Sequence, residues 1–276
     1  MRFPGKRTAG ARAHGLLEWL DSGEEDRRHK AAGERKALTM IDKKRPDWNT
    51  SLQEMFDSIS KRYDLLNSLM SFGQDRRWRK SFLELADVPE RGSLLDVGAG
   101  TGEIALDAKR LHPGLKVTAL DLTAGMMKVG RGKPSGGDVL WVQGDALHLP
   151  FPDKSFDIVT SGYLVRNVPD AIGAFREQLR VVNPGGRVVC LDTCPPKNHV
   201  LRPLVGLYFK VAMPLLGGLV SGQWKAYRYL PASIQAFKTP AEIAGIMGDS
   251  GLANVVWRQF MFDTVAILKG ERPRAG

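Results

Sequence analysis

A glycine-rich loop between a short apolar strand and a helix is the feature that most limits what this chain can fold into. The strand is predicted over Ser93–Val97 and the helix over Gly102–Leu111, and the loop that joins them reads Gly-Ala-Gly-Thr-Gly. Glycine lets the backbone turn sharply and approach a ligand closely, and a helix begins with unpaired N–H groups. The loop therefore predicts an α/β fold with a small-molecule site at the end of its first strand.

Apolar runs alternate with helical patterns beyond this loop. Further strands are predicted over Lys116–Leu120, Val139–Gln143, Phe156–Ser161 and Arg187–Asp192. Helices are predicted over Thr123–Arg131 and from an N-cap at Asp170, and the residues 183–186 (Asn-Pro-Gly-Gly) are predicted to form a turn. Strands that alternate with helices in this way form βαβ units and a mostly parallel sheet.

The C-terminal part of the organised chain departs from that rhythm. Thr239-Pro240-Ala241-Glu242 is a capping box that starts a helix, and two strand-like runs follow over Asn254–Phe260 and Thr264–Leu268. The short turn between these runs requires them to pair antiparallel. The prediction is an α/β, doubly wound, Rossmann-like fold whose mostly parallel seven-stranded sheet ends in an antiparallel hairpin. This outline resembles the class I methyltransferases, which use S-adenosylmethionine.

Composition divides the chain into an extension and a folded part. Residues 1–46 carry twelve Lys or Arg against seven Asp or Glu, which is half of the net charge of +10, and few apolar residues. Such a segment cannot bury enough apolar surface to fold alone, and it lacks the apolar region of a secretory signal. We expect residues 47–270 to form the enzyme domain, with an N-terminal helical cap over 50–86 and a lid insert over 197–236.

The charge and the cysteines limit the partners. A net charge of +10 favours an anionic partner such as a nucleic acid or a membrane surface, or it serves solubility alone. The only two cysteines, Cys190 and Cys194, lack metal-ligand spacing, so no metal site or disulfide framework is expected. This suits a cytoplasmic protein, peripheral at most on the inner face of the cytoplasmic membrane. A homodimer is compatible with the sequence.

The acidic residues at the strand ends leave two cofactors open at this point. Asp121 follows the second strand, where a carboxylate can reach ribose hydroxyls, and Asp145 follows the third. A dinucleotide enzyme shares the first of these features. Its loop, however, has the spacing G-x-G-x-x-G instead of G-x-G-x-G.

Three further motifs resemble the signatures of the UbiE/MenG quinone C-methyltransferases. They are Met55–Asp64 with Leu69–Gly73, Arg166-Asn167-Val168, and Tyr227–Ile234. The resemblance covers about Leu52 to Lys269, nearly all of the organised chain. It implies a methyl transfer from S-adenosylmethionine to a carbon of a polyprenyl hydroquinone, in menaquinone or ubiquinone biosynthesis.

The resemblance also implies a set of site residues. Family members bind the cofactor at positions that correspond to Thr101, Asp121, Asp145 and Ala146, and a family serine before the Arg-Asn-Val motif is replaced by Gly162, beside Ser161. The full set expected to contact the cofactor is Asp96, Gly98, Gly100, Thr101, Gly102, Asp121, Leu122, Asp145, Ala146, Ser161 and Gly162.

Carbon methylation needs alignment of the methyl group with the ring and stabilisation of the charge on the ring oxygen. We expect Arg166 to hold the developing phenolate or to position a water, and Asn167 to orient the ring. Tyr63, Tyr227 and Tyr229 are candidates for hydrogen bonds or ring packing, with simple packing of a lid helix as the alternative. For Arg166 the alternative is an ion pair.

The apolar stretch from Val200 to Val220 is interrupted by Arg202, Pro203, Lys210 and Pro214, too often for a membrane span. It is either a buried lid helix or a wall that accepts an isoprenoid tail and touches the bilayer surface. Three other functions stay open: a methyltransferase of the same family with another small aromatic or lipid acceptor, an RNA or protein methyltransferase, and a scaffold subunit that binds the cofactor without catalysis. No aromatic-rich basic platform for nucleic acid is evident, so we expect no nucleic-acid partner.

Overall fold

The structure, a computed structural model, describes residues 47–195, 206–224, 229, 233 and 237–274. The chain divides into two units, Met1–Asp42 and Lys43–Gly276, and all described residues belong to the second. The predicted extension over 1–46 therefore lies outside the described residues. So does much of the predicted lid insert, including Tyr227.

The described part begins with a layer of three helices. They are α1 (Trp48–Ile59), α2 (Tyr63–Met70) and α3 (Asp75–Ala86), with a 3₁₀ turn over Ser60–Arg62 between the first two. Helix α3 ends at Asp87, whose backbone adopts the left-handed conformation (φ 51°). The inward sides of α1 and α2 bury Ile59, Leu66 and Met70 in one apolar cluster.

A seven-stranded sheet forms the centre of the fold. Its strands are β1 (Gly92–Val97), β2 (Leu115–Asp121), β3 (Leu140–Gln143), β4 (Phe156–Gly162), β5 (Val182–Thr193), β6 (Ala253–Phe260) and β7 (Val265–Glu271). The spatial order is β3-β2-β1-β4-β5-β7-β6. Strands β1 to β5 are parallel, and β7 is antiparallel to both β5 and β6. The predicted doubly wound sheet with its C-terminal hairpin is confirmed.

The remaining helices connect the strands or cover the sheet. They are α4 (Glu103–Leu111), α5 (Ala124–Arg131), α6 (Ala171–Val181), α7 (Met213–Ser221, preceded by a π-helical turn over Tyr208–Ala212) and α8 (Pro240–Asp249). The predicted N-cap is confirmed, because the Asp170 carboxylate accepts the N–H of Gly173. The predicted capping box is confirmed too, with reciprocal bonds between Thr239 and Glu242.

The predicted turn at residues 183–186 is wrong. These residues belong to β5, whose pairing with β4 jumps from Phe156↔Val182 to Ile158↔Arg187. Gly185 has φ 78°, so the segment is a bulge inside one strand. The four residues are typical of a turn, but β5 pairs with β4 both before and after them, so they stay inside one strand.

Both faces of the central strands of the sheet are buried. Leu95, Val159 and Val188 pack with α6 and α8 on one face, and Leu94, Ile158 and Val189 pack with α3 and α4 on the other. Burial on both faces explains why the parallel strands read as continuous apolar runs. Within the described residues, no helix is long and apolar enough to cross a membrane.

Candidate active site

Two connected cavities lie where the carboxyl ends of β1, β2 and β4 meet the helical layer. The larger one, called cavity A here, is lined by Tyr63, Arg166, Met213 and Tyr229, among others. The smaller one, cavity B, is lined by Asp121 and other residues that follow β2 and β3. Gly98, Gly100, Gly162, Tyr163 and Asn167 line both cavities, so these residues form the boundary between them.

The three glycines of the loop have different tasks, although all have positive φ. A methyl group added at Gly98 would lie 2.8 Å from Leu164, and one at Gly102 would lie 2.3 Å from the Trp141 ring. A methyl group at Gly100 would meet no atom within 4 Å. The free space beside the loop is therefore at Gly100. Gly102 lines neither cavity and is needed for packing.

This difference leads to a first prediction. Replacement of Gly102 by alanine is expected to cost about 2–5 kcal/mol of stability, because a positive φ and overpacking against Trp141 add up. Replacement of Gly100 by alanine, with φ 59° but open space, is expected to cost only about 1–2 kcal/mol. Denaturant unfolding of both variants measures the difference, and equal losses would show that Trp141 moves aside freely.

Asp121 organises the glycine loop from the end of β2. Its Oδ2 accepts the N–H of Gly100 at 2.7 Å, and its Oδ1 accepts the N–H of Thr123 at 2.7 Å. Burial raises the pKa of Asp121, and these two backbone bonds partly offset that effect. The carboxylate thus lies at the wall of cavity B with its two oxygens directed by the backbone.

Asp96 at the end of β1 has one oxygen without a partner. Thr160 donates its hydroxyl to Oδ1 at 2.9 Å and the nearby Ala105 N–H lowers the pKa of the carboxyl, whereas Oδ2 has no hydrogen bond of good geometry among the described residues. Only 1% of Asp96 is exposed, and burial raises its pKa from 3.8 to about 7. A buried polar atom without a partner is costly, and Asp96 lines cavity A, so a polar ligand group that reaches this oxygen would satisfy it.

The other residues expected at the cofactor fall into two groups. Leu122, Asp145 and Ala146 line cavity B, and Asp145 accepts the N–H of Leu147 at 2.9 Å. Ser161 lines neither cavity and is fully buried, because successive side chains of a strand point to opposite faces of the sheet. Gly162, which follows it, is the residue of this pair at the cavities.

Arg166 forms a buried ion pair that the sequence did not reveal. Its Nη1 lies 2.5 Å from Oδ1 of Asp192, whose Oδ2 accepts the N–H of Arg166 at 3.0 Å. Burial alone would lower the pKa of Arg166, but Asp192, Tyr63 and Tyr163 together outweigh it and the net shift is upward. The guanidinium also lies 4.9 Å from the centre of the Tyr163 ring. It is therefore a permanent, fixed positive charge at the wall of cavity A.

Tyr163 was not recognised from the sequence. Its backbone has φ 56°, which is unfavourable for an aromatic residue, at the end of β4. Its N–H donates to Leu191 and its carbonyl accepts from the Asn167 amide. Strained backbone held by such bonds is typical of functional sites. This strain marks Tyr163 as a site residue, and it is visible only in the structure.

Asn167 links the helical layer to the residue Tyr229. The hydroxyl of Tyr229 donates to the Asn167 side chain at 2.8 Å, and the Trp48 indole N–H donates to the Asn167 carbonyl at 3.0 Å. The Asn167 side chain thus has protein partners for both its oxygen and its nitrogen. It positions Tyr229, whose pKa burial raises to about 12.

Tyr63 and its neighbour Asp64 bring α2 to the glycine loop. Tyr63 lines both cavities, and burial raises its pKa although the charge of Arg166 opposes the shift. Asp64 accepts the hydroxyl of Thr101 at 2.5 Å and pairs with Lys133 at 2.6 Å. Asp64 and Lys133 were not among the expected residues, because their partners are far away in the chain.

The sequence matches a known protein family over the part of the chain that forms the two cavities. The profile of the ubiE/COQ5 methyltransferase family matches residues 42–272. That range contains every residue of the two cavities named above.

Individual relatives agree with the family match. A demethylmenaquinone methyltransferase of Thermus thermophilus is 41% identical over 221 residues, which are 79% of this chain and 100% of the relative. A ubiquinone/menaquinone biosynthesis C-methyltransferase UbiE of Desulfotalea psychrophila is 40% identical over 216 residues, which are 78% of this chain and 88% of the relative.

A solved structure supports the fold. The S-adenosylmethionine-dependent methyltransferase of Thermotoga maritima, described as a possible histamine N-methyltransferase, aligns with a TM-score of 0.57 and 18% identity. The alignment covers 80% of this chain and 99% of that chain. At this identity the likeness concerns the fold alone.

Proposed function

The chain belongs to the ubiE/COQ5 methyltransferase family, and on that premise we propose that its acceptor is a polyprenyl hydroquinone and its methyl donor S-adenosylmethionine. It is a C-methyltransferase of quinone biosynthesis, as its relatives are by name. Demethylmenaquinol is the acceptor that we propose first, because the relative matched over its whole length is named for that substrate. The precursor of ubiquinol is the second.

The residues around cavity B and Gly100 fit S-adenosylmethionine. The open space beside Gly100 admits a ligand chain next to the loop, and the unpaired Oδ2 of Asp96 is suited to accept an ammonium group. Asp121 would take the ribose hydroxyls and Asp145 the adenine amino group. When it is bound, this cofactor supplies a methyl group that its sulfonium centre activates for transfer.

The observation that carries the proposal is the chemistry of cavity A. Its wall combines apolar side chains such as Met70 and Met213 with the fixed charge of Arg166. Burial raises the pKa of Tyr63 and Tyr229 above the ordinary value of 10.0, so both side chains are protonated at neutral pH. An apolar ring with one ionising hydroxyl matches this wall.

The role of Arg166 follows from that charge. A phenolate beside a buried guanidinium is stabilised, so the pKa of the bound hydroxyl falls and its proton passes more easily to water. The charge that develops on the ring then makes the neighbouring carbon nucleophilic. Asp192 and Tyr163 act as positioning residues, since they hold the guanidinium in place through the ion pair and the ring contact.

A direct assay tests the proposed function. The full-length protein is incubated with S-adenosylmethionine labelled in the methyl group, and with short-chain demethylmenaquinol, a ubiquinol precursor or bulk RNA. We expect transfer of the label to the demethylmenaquinol ring carbon. Label in RNA alone would indicate a nucleic-acid methyltransferase, and cofactor binding without transfer to any acceptor would indicate a scaffold subunit.

Asp121 provides a prediction about the cofactor. Replacement of Asp121 by alanine is expected to weaken S-adenosylmethionine binding by about 1.5–3 kcal/mol, since charge-assisted hydrogen bonds to the ribose are lost. Asp121→Asn is the comparison: its amide oxygen can accept only one of the N–H groups of Gly100 and Thr123 and its NH2 group faces the other, so it is expected to weaken binding as well. Titration calorimetry measures both variants. Wild-type affinity in the alanine variant would contradict the assignment.

A further inference from the structure

Two neighbouring helices expose apolar side chains on their outer sides. We call this surface the docking face and define it by Leu65, Leu69 and Phe72 at α2 and Leu215, Leu216 and Leu219 on α7. Each of these side chains is between 38% and 74% exposed. They are six of the fourteen large exposed apolar residues in the described part of the chain. Concentrations of this kind mark interaction surfaces.

The two helices lie antiparallel and side by side. Arg62, before α2, donates to the carbonyl of Val220 at the end of α7, at 2.6 Å. At the opposite end, the rings of Phe72 and Tyr208 are 5.8 Å apart. The inward sides of the helices already bury Leu66 and Met213 in a common cluster. The outer apolar sides are therefore surplus to the needs of the core.

Charge decides which partner fits this face. Over residues 61–80 the exposed charged side chains are all basic: Lys61, Arg62, Arg76, Arg77 and Lys80, the last of which pairs with Glu84. The two acids of that stretch turn inward, where Asp64 pairs with Lys133 and Asp75 with Arg79. Residues 206–224 contain no Asp or Glu. A second copy of this face would meet the same positive charge and be repelled, whereas an anionic lipid surface is complementary.

The helices of the docking face also line cavity A with their inner sides. Met70 of α2 and Tyr208 and Met213 of the lid segment line that cavity, and the Tyr208 hydroxyl donates to the Met70 carbonyl at 2.6 Å. The same two helices therefore contribute their inner sides to cavity A and their outer sides to the docking face.

We propose that the docking face binds an anionic lipid bilayer, and that the acceptor enters cavity A directly from the bilayer between α2 and α7. The entry of the acceptor from the bilayer rests on the proposed function, since it needs an acceptor with a lipid tail. The binding of the face to the bilayer rests on the apolar and basic residues alone.

Vesicle binding of the full chain tests the face. The probes are vesicles of phosphatidylcholine alone and of phosphatidylcholine mixed with phosphatidylglycerol. The double variant Phe72→Gln/Leu219→Gln is expected to lose at least about tenfold in partition to the mixed vesicles, since two side chains no longer enter the interface. The matched control, Leu111→Gln/Leu140→Gln, changes residues that are 56% and 62% exposed elsewhere and is expected to bind like the wild type.

A second pair of variants tests the charge. Arg76→Gln/Arg77→Gln is expected to reduce binding to the mixed vesicles about tenfold and to leave binding to phosphatidylcholine unchanged. The affinity of the wild type for the mixed vesicles should also fall as the salt concentration rises. Lys116→Gln/Lys154→Gln is the control, because these exposed lysines lie near the amino ends of β2 and β4, on the other edge of the sheet.

The outcomes separate this inference from the proposed function. If Phe72→Gln/Leu219→Gln bound vesicles like the wild type, the inference would be overturned. It would also be overturned if sedimentation showed that the wild type is a dimer and this variant a monomer, because the face would then bind a second copy. Methylation of a tail-free hydroquinone should be unchanged in the variant, since neither residue lines a cavity. Failure of the wild type to methylate any hydroquinone would contradict the proposed function and leave the vesicle result standing.

Discussion

Replacement of Arg166 by alanine is expected to lower turnover by about 10²–10³ and the free energy of unfolding by about 3–5 kcal/mol. The catalytic loss follows from the proposed role of Arg166, which lines cavity A and would stabilise a phenolate there. The loss of stability follows because Asp192, which is fully buried, would lose its ion-pair partner. Turnover is measured at a temperature where the variant is folded, and stability by denaturant unfolding.

A double variant separates the two effects. In Arg166→Met/Asp192→Asn no unpaired charge remains in the interior, so much of the stability is expected to return. Turnover is expected to stay low, and S-adenosylmethionine affinity to stay near that of the wild type, because the interaction is made mainly in the transition state. A double variant with wild-type turnover would show that Arg166 serves the scaffold only.

Cofactor affinity is expected to rise about tenfold for each pH unit up to pH 7 and to level off above it. The reason is Asp96, whose pKa burial raises to about 7. A cationic ammonium group binds the carboxylate and not the carboxylic acid, so binding below pH 7 must release the proton. Titration calorimetry in buffers of different ionisation enthalpy measures both the affinity and the released proton.

Asp96→Asn is the control for this pH dependence. The asparagine does not titrate, so its cofactor affinity should be weak and nearly constant over the same range. The stability of the ligand-free protein should show the opposite sign. A carboxyl group whose pKa rises from 3.8 to about 7 on folding contributes stability that is complete below pH 4 and is lost as the pH rises to 7. A wild-type affinity that does not change with pH would contradict the role of Asp96.

Much of the fold is predictable because its signals are local. The Gly-rich loop, the caps at Asp170 and Thr239 and the alternation of strands with helices each depend on residues close together in the chain. The sheet topology follows from them, since parallel strands need helical connections and a short turn needs an antiparallel pair. The same logic brings Asp121, Asp145 and Arg166 to one edge of the sheet, because the carboxyl ends of parallel strands meet there.

Local patterns in the sequence specify the fold class, the glycine-rich loop and the edge of the sheet at which the two cavities lie. Which groups each side chain meets there depends on the tertiary structure. Arg166 meets Asp192 across two strands, Asp64 reaches Thr101 from another helix, and Gly102 makes room for Trp141. These contacts join residues far apart in the chain, and no local pattern encodes them. The physical reason is that pairing, burial and close packing depend on distances in space, which exist only once the sheet and its helical layer have come together.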